Sequence, residues 1–186
     1  MTQSLTHEVH DLILGSKHFA GVRLDGEITL HFLQGETFDC RSVVGVSGVR
    51  TASEITTTAD GKPQVELERL LTHFHSDDAD VVIEQNHTRS NRGTLTGHGD
   101  ESLLPGTASF EQFLLITIGD KVYANRDALV MTATDVTAWA PVGSTFTSKA
   151  AVDFYAVDEI DDAEAMPVLT LAAKCAAEIR DALSLG

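Results

Sequence analysis

From Gly21 to Val49 apolar side chains recur at about every second position, and short β-like runs separated by turn-forming residues continue to residue 157. Alternation at period two puts one set of side chains on one face of a strand, so this stretch predicts β-structure. Val22, Leu24, Ile28, Leu30 and Phe32 hold the even positions around Asp25-Gly26, which predicts a tight hairpin or a bulge inside the run. Residues 40–49 are rich in valine and broken by Gly45 and Gly48, and threonines cluster at 56–58. Asp60-Gly61 reads as a hairpin turn leading into 64–75. A short strand follows at 81–85, and 86–107 reads as a polar loop around a possible strand at 93–96. Residues 110–118 and 121–124 form a hairpin about Gly119-Asp120. Long β runs occupy 128–139 and 145–157.

The two ends differ in character. Residues 4–14 place Leu5, Val9, Leu12 and Ile13, with His7 and His10, on a candidate short N-terminal helix for which Ser4 is a candidate cap, and a strand at Val9–Leu14 is the alternative. Asp158 to Glu164 is an acidic linker, and Pro167 opens a C-terminal helix with Leu169, Ala172, Ala176, Ile179 and Leu183 as its stripe. The expected fold is therefore mainly β. It is an antiparallel β-sandwich or flattened β-barrel of residues 1–157, followed by the linker and helix of 158–186. Alanines beside the stripe make that helix a candidate homodimer contact.

Charge and cysteine content narrow the partners. There are 28 acidic against 13 basic residues, a net charge of −15, which disfavours nucleic acid and anionic membrane surfaces. Cys40 and Cys175 have no neighbour at metal or redox spacing and read as free thiols. With no apolar leader at the N-terminus and no long apolar run, the expectation is a soluble, cytoplasmic protein.

One stretch spells a chemical motif. Thr72-His73-Phe74-His75-Ser76-Asp77-Asp78 resembles the Thr-His-x-His-x-Asp-His signature of the metallo-β-lactamase superfamily. The resemblance implies that His73 and His75 ligate one metal and that Asp77 serves a second or orients a water. It stops there. Asp78 replaces the last histidine, no glycine turn follows, and the alternation of strands and helices is missing. The expected cofactor and metal are therefore none.

A different site emerges from the register. If 64–75 is a strand of unbroken period two, Arg69, His73 and His75 share a face with Val65, Leu67 and Leu71. Read as a helix, the same residues give a stripe of Leu67, Leu70, Leu71 and Phe74 instead. Polar groups on an apolar inner face mark the mouth of a ligand cavity, and Trp139 is a further candidate lining residue. The expected function is binding of a small apolar ligand or a protein partner. The alternative is a metal-independent cyclase or isomerase acting inside the barrel. Gly45-Val46-Ser47-Gly48 does not make a nucleophile elbow, because Val49 stands where a second glycine is needed.

Overall fold

The computed structural model describes residues 20–183 apart from Glu36, Asp77, Asp78 and Ala140. The alternating runs become its longest strands, β1 (Ala20–Phe32), β2 (Thr37–Thr51) and, after the two-residue β3 (Thr56–Thr57), β4 (Pro63–Ser76). Asp25-Gly26 is the bulge alternative, since β1 runs through it and its register against β2 shifts between Gly26 and Ile28. Asp60-Gly61 makes the turn from β3 to β4, with Gly61 at φ 84°, a conformation that favours glycine. The N-terminal helix expected at 4–14, with His7 and His10, lies outside the described residues, as do Asp77 and Asp78 of the metal motif.

Ten shorter strands complete the wall. They are β5 (Val81–Gln85), β6 (Arg92–Gly97), β7 (Gly106–Gln112), β8 (Leu114–Ile118), β9 (Lys121–Asn125), β10 (Leu129–Val136), β11 (Thr145–Ser148), β12 (Val152–Ala156), β13 (Leu169–Leu171) and β14 (Ala176–Leu183). All the strand pairings among the described residues are antiparallel, and the ladder closes on itself. The first half of β4 pairs with β6 and its second half with β5. The first half of β1 pairs with β14 and its second half with β13. Each consecutive pair from β5/β6 to β13/β14 therefore acts as one interrupted stave. With β1, β2 and β4 these make eight staves of an up-and-down barrel, each hydrogen-bonded to its neighbours in sequence. A sandwich is excluded by the contacts of β13 and β14 with β1, which leave no free edge there.

The interruptions fall at one level around the barrel, and side chains replace the ladder bonds lost there. The Asn125 side chain accepts a hydrogen bond from the Leu114 N–H and donates to the carbonyls of Gln112 and Asp127. Asn91 accepts from the Phe113 N–H, and Gln85 donates to the Arg69 carbonyl. Buried backbone groups must be paired, so a broken stave is tolerated only where such a substitute exists.

The C-terminal helix is not formed. Leu169 and Leu171 are fully buried in β13, while Thr170 between them points outward to the Asp153 carboxylate. Lys174 adopts φ 68°, and β14 then turns Ile179 inward with Glu178 and Arg180 outward. The same alanines and leucines satisfy a helical stripe and a period-two strand. Helix propensity loses here because the open edge of β1 needs a partner along its length. A homodimer through a C-terminal helix has no such helix to use.

Candidate functional site

The barrel encloses a slot lined by β1, β2, β4, β5, β7, β8, β10, β11, β13 and β14, by the connection after β10 and by Cys175 between β13 and β14. The cavity volume is about 90 Å³. Its walls are almost wholly apolar, with Phe74, Ile83, Phe110, Leu114, Phe146 and Ile179 prominent.

Arg69 is placed in this slot by the alternation of β4. Pro63, Val65, Leu67 and Arg69 all turn inward. Its backbone is pinned at both groups: the N–H donates to the Asn91 carbonyl at 2.9 Å, and the carbonyl accepts from the Gln85 amide at 2.9 Å. The guanidinium donates to the Ser47 hydroxyl, which donates in turn to the Leu71 carbonyl. It lies over the Phe110 ring, 4.3 Å from the centroid. That approach depends on Gly93, opposite Phe110 on β6, because a Cβ there would come within 2.4 Å of the ring. Arg69 is only 8% exposed, and its Nε has no partner. Burial lowers its pKa to about 10, so it stays cationic at neutral pH.

His73 and His75 do not join it. The pairing of β2 with β4 slips between Gly48 and Val49, which leaves Leu70 as an extra residue on β4. A bulge of one residue reverses the faces beyond it. Thr72 and Phe74 turn inward, and His73 and His75 turn out. The His73 side chain is 48% exposed and its Nδ1 lies 3.2 Å from Glu84. Among the described residues, no three His, Cys, Asp or Glu side chains gather into a group that could hold a metal ion.

Trp139 does line the slot. It follows β10 in the connection to β11, is 6% exposed, and its indole N–H has no partner. Two lining residues escape sequence reasoning. Ser47 stands at the same parity as Val43 and Val49, so the period-two rule marks it as the one polar group on an apolar face. Cys175 is hidden by the mistaken helix. Its thiol, pushed up by burial, lies 3.0 Å from the Ser148 hydroxyl and 3.5 Å from the Met131 sulfur.

These features define an eight-stranded up-and-down β-barrel with an apolar interior slot and isolated hydrogen-bond donors. No protein-family pattern matches the sequence, and no curated protein matches it. Among solved structures, the chain is similar in fold to DynF from the dynemicin biosynthesis pathway of Micromonospora chersina. The TM-score is 0.73 at 12% identity, over 89% of this chain and 81% of that one. Among the described residues, no helix is long and apolar enough to cross a membrane.

Proposed function

We propose that the barrel binds a small, largely apolar molecule in its interior. The observation that carries this reading is the slot itself, apolar-walled and supplied with buried donors that no protein group satisfies. Such sites are where small ligands are held. The similarity in fold to a protein of a biosynthesis pathway supports a small-molecule ligand.

Binding is favoured over acid–base catalysis by the make-up of the lining. Among the described residues that line it, Arg69 and Cys175 are the titratable ones, and none is a histidine, aspartate or glutamate. The test is native mass spectrometry of protein purified from its own host. A bound organic molecule of one per chain, released on denaturation, is the expected result. Its absence, together with failure of apolar probes to enter, contradicts the proposal.

A further inference from the structure

Arg69 is the cation among the residues lining the slot, and no acidic side chain among the described residues pairs with it. We infer that the ligand is an apolar monoanion, carrying one carboxylate or ionised enol or phenol oxygen that binds the Arg69 guanidinium. This rests on the proposal that the barrel binds a small molecule, and it names the chemical class.

The argument is one of unmet donors. A guanidinium carries five N–H groups, and Arg69 uses one nitrogen on Ser47 while Nε is buried and unpartnered. A buried charge without a counter-ion is strongly disfavoured, whereas a hydrogen-bonded anion offsets that cost. The Phe110 face steadies the cation but offers no lone pair. Ser47 offers only a neutral hydroxyl oxygen, which cannot serve as a counter-ion. The Arg69 backbone is held on both sides, which fixes the point at which its side chain enters the slot. The unpartnered indole N–H of Trp139 is a second donor on the same slot, and it too calls for an acceptor on the ligand. Attraction over long range does not account for anion binding in a chain of net charge −15. Selectivity for an anion must then be local to Arg69.

The test uses two fluorescent probes of similar size, the anion 1-anilinonaphthalene-8-sulfonate and the neutral N-phenyl-1-naphthylamine. Each is titrated into the wild-type chain and into Arg69→Met and Arg69→Lys. Trp139 is the single tryptophan of the chain, so quenching of its emission reports entry into the slot. The wild type is expected to bind the anion on the order of tenfold more tightly than the neutral probe. Arg69→Met is expected to lose that preference while keeping the neutral probe, and Arg69→Lys to keep most of it. Equal affinities in the wild type, or an unchanged preference in Arg69→Met, overturn the monoanion and leave the small-molecule proposal standing. If neither probe quenches Trp139, the proposal itself fails and the inference falls with it. The wild-type ratio decides the matter even where a variant does not fold.

Discussion

The guanidinium of Arg69 lies 4.3 Å from the centroid of the Phe110 ring, inside a barrel whose walls are otherwise apolar. An arginine in such a place is a liability to the empty protein. Its retention in the fold makes sense if the charge meets a ligand, and its removal should then separate stability from binding.

Arg69→Met should stabilise the ligand-free barrel by about 1–3 kcal/mol, because an apolar side chain of similar length removes an unpaired buried charge. Loss of the ring contact and of the bond to Ser47 offsets part of this gain. Urea denaturation of the two proteins checks the sign, and a large destabilisation would count against the account.

The same comparison has a defined pH dependence. Burial holds the Arg69 pKa at about 10 in the folded barrel, below the ordinary guanidinium value. The unfolded chain therefore binds more protons between those values, and the wild type gains stability relative to Arg69→Met as pH rises through that window. Below about pH 9 the difference should be flat. A difference that varies between pH 6 and 8 would show that another group titrates with this site.

Asn125→Ala should cost about 3 kcal/mol, since three hydrogen bonds at the break between β9 and β10 depend on that amide. Thermal unfolding measures it. A loss under about 1 kcal/mol would mean that the backbone finds other partners there.

His73→Ala and His75→Ala should leave probe affinity unchanged and shift stability by no more than about 0.5 kcal/mol, as both side chains lie on the outer face. Gly93→Ala should do the opposite. A Cβ there meets Phe110 at 2.4 Å and the Ser109 carbonyl at 2.5 Å, so the ring beneath Arg69 must move. The expected results are a lowered melting temperature and weaker anion binding, and an unperturbed Gly93→Ala protein would contradict the packing described.

Much of the barrel is legible in the sequence because alternation and turn residues are local signals. The β8–β9 hairpin about Gly119-Asp120 and the turn at Asp60-Gly61 both stand where those signals put them. Arg69 is legible as an inward residue by the same counting. His73 and His75 are misplaced because a single extra residue, Leu70, reverses the count, and nothing in the local composition announces it. The tail is misread for another reason. Residues 169–183 satisfy two periodicities at once, and what selects between them is the distant open edge of β1.

The central claim is that the barrel interior is a binding chamber, and Trp139 emission tests it most directly. Titration of the wild type with N-phenyl-1-naphthylamine should quench Trp139 to saturation at one probe per chain. Ala177→Phe, which fills the slot from β14, should abolish the quenching while the chain stays folded. Probe fluorescence that rises with no change at Trp139, or quenching that survives Ala177→Phe, would place binding elsewhere and contradict the account.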